Sequence, residues 1–180
     1  RREIGHGRRL AAVQRILDRP APATGAQVYE ARDMARCDLE LQRLTEKYLD
    51  KGEGECYLRL RQVAEVVENK ILGLHLSRLI LIVWVIMPNH VHLLFSPMAG
   101  NSMTAIMQLI KGATAKEANL LLGRSFWMRD YLDRYIRDAE HFRKAVRYIE
   151  NNPVKAGLCD RAEDWRLGSA WWREREKEVN

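Results

Sequence analysis

The sequence is poor in cysteine, and its few cysteines are widely separated. Cys37, Cys56 and Cys159 are the only three among 180 residues, and no two of them form a Cys-x-x-Cys pair. An odd and scattered set of this kind predicts neither a disulfide framework nor a thiolate zinc site. A reducing compartment, the cytoplasm, is therefore the expected location.

Long apolar segments are also missing. Residues 1–5 lack the apolar stretch of a secretory signal, and the most hydrophobic run, Leu79–Met87, has nine residues. A membrane helix needs about 20. Internal repeats and low-complexity segments are absent as well. We expect a soluble protein without a membrane partner.

Positive charge is in excess. The chain carries 30 Lys and Arg against 24 Asp and Glu, a formal net charge of +6. Such an excess favours an anionic partner, through counterion release and steering. The length fits one domain with its own core. We expect that domain at residues 31–172, after a poorly defined N-terminal helix and linker at 1–30 and before a charged tail at 173–180.

The apolar run predicts the first strand of a β-hairpin. It is rich in Ile and Val, Pro88-Asn89 follows as a turn, and His90–Phe95 reads as the returning strand. Side chains at i and i+2 of a strand share one face, so His90 and His92 project side by side. Two aligned imidazoles can hold a metal ion. The alternative is a pair of half-buried histidines satisfied by neighbouring carbonyls.

Helices are predicted around this hairpin. Apolar spacing favours helices at 31–49 and 60–74, and a long helix capped by Asn101 or Ser102 that stops at Gly123. A last helix at about 139–151 ends before Pro153. Helices together with a hairpin indicate an α+β fold.

The segment from Ser125 to Asp138 alternates in a strand-like way. One face would carry aromatic and cationic side chains, which suit base stacking and phosphate neutralisation. An edge strand with a polar outer face is an equally good interpretation. With residues from the two neighbouring helices, the candidate nucleic-acid-binding residues are Lys111, Lys116, Arg129, Tyr131, Arg134, Tyr135, Arg137 and Lys144.

A second group of candidate residues lies near the end of the last helix. Tyr148 and Asn152 are four residues apart, so both would lie on one side of the helix if it persists that far. A hydroxyl nucleophile and an amide oxygen could then face one site. Tyr131 and Tyr135 are rival nucleophiles, but a strand position away from the amide favours base stacking or a structural role for them.

Four segments of the chain resemble the single-tyrosine HUH transposases, specifically the REP-associated tyrosine transposase branch. The matches cover roughly residues 48–172 and follow the order and spacing of that family. The most specific are Met-Pro-Asn-His-Val-His at 87–92 and Tyr-Ile-x-x-Asn-Pro-Val-Lys-Ala-Gly-Leu at 148–158. The other two are Leu-Ile-Lys-Gly-Ala-Thr at 109–114 and the aromatic segment at 126–137.

The resemblance implies a fold and a chemistry. The fold would be an antiparallel sheet with helices packed on it, ferredoxin-like or RRM-like. His90 and His92 would bind Mg²⁺ or Mn²⁺, Asn152 would supply a third, amide ligand, and Tyr148 would be the nucleophile. The activity would be cleavage and strand transfer of hairpin-forming single-stranded DNA through a 5′-phosphotyrosine, by a monomer or a homodimer.

The chain departs from the family pattern at its beginning. Family members open with an apolar strand, and nothing in residues 1–30 resembles one, so the first strand is expected to be missing from this chain. Either that strand precedes residue 1 or the protein has degenerated, and without it a sheet edge beside the metal site would be exposed. This departure keeps a second hypothesis open, a single-stranded DNA-binding module without cleavage activity. A histidine-triad nucleotide hydrolase is disfavoured, because Leu94 stands where that class needs a further histidine.

Overall fold

The computed structural model describes residues 48–50, 52, 54–128 and 131–178. The expectations for residues 1–47 lie outside this part of the chain. The main elements, in chain order, are α1 (Arg61–Leu74), β1 (Leu79–Ile86), β2 (Val91–Pro97), α2 (Met103–Leu122), α3 (Ala139–Glu150), the short α4 (Asn152–Lys155) and α5 (Ser169–Glu178). Single turns of 3-10 helix lie at Tyr57–Arg59 and Ala162–Asp164. The expected α+β class is confirmed.

The predicted hairpin is present. Strands β1 and β2 pair antiparallel, with Val85 opposite His92. Pro88 and Asn89 form the connection, which is closed by a hydrogen bond from the Met87 amide to the His90 carbonyl at 2.8 Å. Because this turn is so short, it fixes the register of both strands and therefore the face on which each histidine lies.

A bulge in β1 changes which residues face which side. The pairing register shifts between Leu81 and Val83, which leaves Ile82 as an extra residue. Leu79 and Leu81 before the bulge therefore share a face with even-numbered residues after it. The switch lets an almost continuous apolar strand serve two different faces of the hairpin.

One face of the hairpin forms the main core with α1 and α2. Its β1 residues are Leu79, Leu81, Trp84 and Ile86. The helices contribute buried side chains at helical spacing, namely Val63, Val67 and Ile71 from α1 and Ile106 and Ile110 from α2. The helix expected at 60–74 is confirmed as α1. The other face packs on α3, where Val83, Val85 and Met87 meet Ile149.

Both ends of α2 follow from local chemistry. The Ser102 hydroxyl oxygen accepts a hydrogen bond from the Ala105 amide at 3.1 Å, which makes Ser102 the N-cap. Gly123 ends the helix with φ of 68°, a left-handed conformation that costs glycine little. The predicted helix between these two residues is confirmed.

One edge of β1 is covered by the chain that precedes α5. The Ile86 amide donates to the Leu167 carbonyl at 2.8 Å, and Val85 forms an antiparallel bridge with Gly168. The Trp165 indole donates to the Ile86 carbonyl at 3.0 Å. Along the part of the chain that the structure describes, no strand pairs with the outer edge of β2.

Helix α5 runs across the position at which the charged tail is expected to begin. The boundary placed before residue 173 falls inside the helix, which runs to Glu178. Arg173 forms a two-pronged ion pair with Glu150 of α3, and the Ser169 hydroxyl also donates to Glu150 at 2.9 Å. These contacts hold the helix against the domain, so a charged composition alone is a poor guide to the end of a fold.

The expected strand at 125–138 is wrong. Residues 125–128 and 131–137 form neither helix nor strand. Instead, the Trp127 indole donates to the Thr114 hydroxyl at 2.8 Å, and the Met128 carbonyl accepts from Lys111 at 2.7 Å. These contacts attach the segment to α2. An alternating pattern without a neighbouring strand edge to pair with does not produce a strand.

None of the helices in the described part of the chain combines the length and the apolar character needed to cross a bilayer.

Candidate active site

The two histidines lie on the α3 side of the hairpin. His92 lies two residues before Leu94 on β2 and therefore on the same face of the strand, and Leu94 packs against α3. His90 immediately precedes the strand. Their Nε2 atoms are 2.9 Å apart, and their ring centroids are 4.6 Å apart. His90 is buried and His92 is half-buried. The predicted side-by-side arrangement is therefore present.

Asn89 fixes the protonation of His90. The Asn89 amide nitrogen donates to the Leu49 carbonyl at 3.0 Å, so its oxygen faces the other way. That oxygen lies 2.8 Å from His90 Nδ1, which must carry the proton. The Nε2 atom of His90 then presents a lone pair, the arrangement usual for histidines that bind metals.

Burial favours the neutral form of His90. Desolvation and repulsion from His92 outweigh the attraction of Asp50 and lower the pKa of His90 to about 4. At neutral pH the ring is therefore uncharged. A neutral imidazole can donate a lone pair to a cation, whereas a protonated one cannot.

Helix α3 brings Tyr148 to the histidines. The tyrosine ring packs edge-on against His92, with centroids 5.3 Å apart. Val146 and Ile149 anchor the helix on the sheet beneath it. Lys155 of α4 lies over the Tyr148 ring, with its ammonium nitrogen 4.7 Å from the centroid. Sequence reasoning assigned no role to Lys155.

Asn152 reaches the same place across a break in the helix. Helix α3 ends at Glu150, and Asn152 begins α4. Its side chain is 1% exposed, and its Nδ2 atom lies 3.1 Å from His92 Nε2. The expectation that Tyr148 and Asn152 face one site agrees with this geometry, although α3 does not continue through both residues.

Asp50 is a site residue that sequence reasoning missed. Its carboxylate accepts hydrogen bonds from the Tyr148 hydroxyl, at 3.1 and 3.3 Å for its two oxygens, and from Asn152 Nδ2 at 3.2 Å. It also lies 3.8 Å from the Nε2 atoms of His90 and His92. In the sequence, Asp50 only opens a turn-rich stretch. Only the folded structure brings Asp50 next to Tyr148 and Asn152, which lie about 100 positions later in the sequence.

These contacts keep Asp50 ionised. Partial burial opposes ionisation, but hydrogen bonds from Asn152 and Tyr148, together with the nearby His92 ring, hold the pKa of Asp50 at about 2. The site therefore contains a fixed negative charge beside the neutral His90 ring, a composition that attracts a cation.

Hydrogen bonding cannot satisfy every nitrogen at this site. Because His90 Nδ1 donates to Asn89, His90 Nε2 can only accept the hydrogen bond, and His92 Nε2 must be its donor. Asn152 Nδ2, also a donor, lies beside that same His92 nitrogen and would need it as an acceptor. The conflict would disappear if the two ring nitrogens and the Asn152 oxygen, after a turn of the amide, all gave lone pairs to a bound cation.

The donor spacing also fits a small divalent cation. Neighbouring ligands around octahedral Mg²⁺ lie roughly 3 Å apart, given bonds of about 2.1 Å. The two ring nitrogens are 2.9 Å apart, and His92 Nε2 and the Asn152 amide are 3.1 Å apart. The ligand atoms of Asp50, His90 and His92 all lie within 4.8 Å of one another.

The two rival tyrosines have other surroundings. Tyr131 lies near Lys111, whose ammonium nitrogen is 5.9 Å from its ring centroid. Tyr135 is 78% exposed. Tyr148, by contrast, touches both a histidine and a carboxylate of the site. The geometry thus favours Tyr148 over the alternatives.

The candidate DNA-binding residues lie on α2, on α3 and in the segment between these helices. Lys116 is exposed on α2, and the segment carrying Arg134, Tyr135 and Arg137 is exposed along most of its length. Lys144 pairs with Glu140 one turn earlier on α3, at 2.6 Å. Lys111 and Tyr131 are brought together, as described above, and Arg129 lies outside the described residues. A shared binding face for this set stays a prediction.

Comparison with known proteins gives a family and a fold. A family model described as "Transposase IS200 like" matches residues 57–152, more than half of the chain. A solved structure of a REP-associated tyrosine transposase bound to a REP hairpin is similar, with a TM-score of 0.51 and 22% sequence identity. The match covers 65% of this chain and 68% of the other. No curated protein matches significantly.

Proposed function

This chain belongs to the IS200-like transposase family, and we propose that it cleaves and rejoins single-stranded DNA through a covalent bond to Tyr148. Membership of the family confirms the resemblance drawn from the sequence motifs. The proposed substrate is DNA that folds into hairpins, and a REP hairpin is what the similar solved structure contains.

One observation carries the proposal. Tyr148 and Asn152, from the α3–α4 region, meet His90 and His92 of the hairpin within hydrogen-bond or ring-contact distance. These residues are separated by more than fifty positions in the sequence. A phenol beside side chains that can bind a cation is an arrangement suited to phosphodiester cleavage by tyrosine.

His90, His92 and Asn152 would hold a divalent cation, Mg²⁺ or Mn²⁺. Imidazole nitrogens and an amide oxygen suit these ions, and the amide needs only to turn its oxygen toward the rings. When bound, the cation supplies Lewis-acid polarisation of the scissile phosphate. Asn89 orients the His90 ring for this role through the Nδ1 hydrogen bond.

Tyr148 would act as the nucleophile. Its phenol oxygen forms a bond to phosphorus while the bond from phosphorus to the 3′-oxygen breaks, and the proton lost by the phenol ends on that oxygen. The products are a 5′-phosphotyrosine and a free 3′-hydroxyl. Because the new ester retains the phosphodiester energy, attack by a 3′-hydroxyl reverses the reaction and joins strands. Lys155, over the tyrosine ring, favours the developing negative charge.

Basic side chains would hold the DNA. The net charge of +6 favours a phosphate backbone, and the exposed cations on α2 and in the 131–137 segment would contact it. Exposed Tyr135 offers a ring on which a base can stack.

The test is a covalent-adduct assay. The protein is incubated with labelled hairpin-forming single-stranded DNA and Mn²⁺, and adducts are resolved on a denaturing gel. We expect an adduct with the natural sequence and none with Tyr148→Phe, while Tyr135→Phe serves as the matched control and retains the adduct. An adduct formed equally well by Tyr148→Phe would refute the nucleophile. Tight binding without any adduct would support the DNA-binding module instead.

A further inference from the structure

We propose that Asp50 is a ligand of the divalent cation and also the residue that positions the Tyr148 phenol. The inference rests on the proposed function, because it assumes that the histidine pair binds a cation. It adds an anionic oxygen to a ligand set that the sequence motifs limit to two imidazoles and one amide.

The position of Asp50 is fixed by the hairpin turn itself. The preceding residue, Leu49, accepts a hydrogen bond from Asn89 at 3.0 Å, and Asn89 in turn orients His90. The carboxylate is therefore tied to the same turn that carries the histidines. A half-buried acid held in this way is part of the site, whereas a solvated surface acid would lack such an anchor.

The two oxygens of Asp50 have different neighbours. Oδ1 lies 3.8 Å from both imidazole Nε2 atoms and 3.2 Å from Asn152 Nδ2. Oδ2 makes the shorter contact with the Tyr148 hydroxyl, at 3.1 Å. One carboxylate can therefore direct Oδ1 toward the cation and still accept the phenol hydrogen bond with Oδ2.

A ligand role for Asp50 would also compensate for a hydrogen bond that its carboxylate loses when Asn152 turns. Asn152 must turn its oxygen toward the cation to act as a ligand, and this turn removes the amide hydrogen bond from Asp50 Oδ1. Coordination to the cation would replace that lost bond. The carboxylate would also offset one of the two cationic charges in a partly buried place, and hard oxygen ligands favour Mg²⁺ and Mn²⁺.

The experiment measures Mn²⁺ binding in the absence of DNA, by calorimetry and by the electron paramagnetic resonance signal of free Mn²⁺. We expect Asp50→Asn, which keeps the shape and removes the charge, to weaken Mn²⁺ binding at least tenfold. Asp160→Asn, a change at an exposed acid away from the site, should leave binding unchanged. Asp50→Ala is measured in parallel as a second variant without the carboxylate, and far-UV circular dichroism confirms that each variant is folded.

Equal Mn²⁺ affinity in the Asp50 variants and the unchanged protein would overturn the ligand role. The positioning role has its own readout. At saturating Mn²⁺ and DNA, Asp50→Asn should slow adduct formation at least tenfold without changing the affinity for DNA, and an unchanged rate would overturn that role. Mn²⁺ binding is measured without DNA, so it tests the ligand role independently of cleavage. If no adduct forms, the proposed function is refuted, and the Mn²⁺ affinities still decide the ligand role.

Discussion

The two faces of the β1–β2 hairpin differ in composition and in what covers them. The face that includes Trp84 and Ile86 is apolar and packs on α1 and α2. The opposite face has a small apolar patch, with Val85 and Met87 against α3, and then gives way to His90 and His92 at its end. The first face has the larger share of the buried apolar side chains, and the second brings the polar groups together.

This division suggests that stability and chemistry can be changed separately. Burial of large apolar side chains is the dominant favourable contribution to folding. The groups at the site make hydrogen bonds that conflict with one another, so they are arranged for binding and not for stability. Variants on each face should therefore affect different measurements.

The largest expected effect is on the histidine side. His90→Ala should lower the rate of adduct formation by about 100-fold or more, because it removes a cation ligand. DNA affinity should change by less than about twofold, since phosphate contacts come mainly from basic residues. Adduct assays paired with fluorescence-anisotropy binding check both values. Loss of DNA binding together with cleavage would show that His90 has a structural role.

A substitution on the apolar face should change stability strongly and activity less than His90→Ala does. Ile71 is fully buried on α1, so Ile71→Ala should lower the free energy of unfolding by about 2–5 kcal/mol. Leu120 is 80% exposed on α2, and Leu120→Ala should change the free energy of unfolding by less than about 0.5 kcal/mol. Urea denaturation measures both. The rate of adduct formation per folded Ile71→Ala molecule should match that of the unchanged protein, and a large loss would contradict the separation of the two faces.

The smallest effect concerns the start of α3. The Asp138 carboxylate accepts from the His141 amide at 2.7 Å, and this bond lowers the pKa of Asp138 below its usual 3.8. A carboxyl group whose pKa is lower in the folded state stabilises the fold above pH 3.8 and loses that contribution as pH falls through the folded value.

Asp138→Asn keeps an acceptor oxygen but cannot titrate. Its melting temperature should therefore fall less than that of the unchanged protein between about pH 4 and about pH 2. Thermal melts across this range give the comparison. Parallel pH dependence in the two proteins would mean that the cap makes no titrating contribution.

Local patterns were enough to predict the hairpin and the three helices α1, α2 and α3. A β-branched run before Pro88, the cap at Ser102 and the stop at Gly123 each act over a few residues. The alternation at 125–138 is equally local, but a strand also needs a partner edge, and that requirement cannot be read from the segment itself. Its Trp127 instead meets Thr114 on α2.

The candidate site was predictable only in part, for the same reason. His90, His92, Tyr148 and Asn152 could be proposed from their spacing and from the family resemblance. Asp50 has no pattern around it, and its contacts to Tyr148 and Asn152 cross about 100 residues of sequence. Long-range contacts of this kind depend on the packing of α3 against the hairpin, which a single sequence does not reveal.

Peptide mapping of the DNA adduct tests the central claim most directly. Trypsin cuts after Lys and Arg, so Tyr148 falls in the peptide 148–155, Tyr131 in 130–134 and Tyr135 in 135–137. Mass spectrometry of a nuclease-trimmed adduct thus identifies the attacking residue. The account predicts that the nucleotide is carried by peptide 148–155. A nucleotide on either of the other two peptides would contradict it.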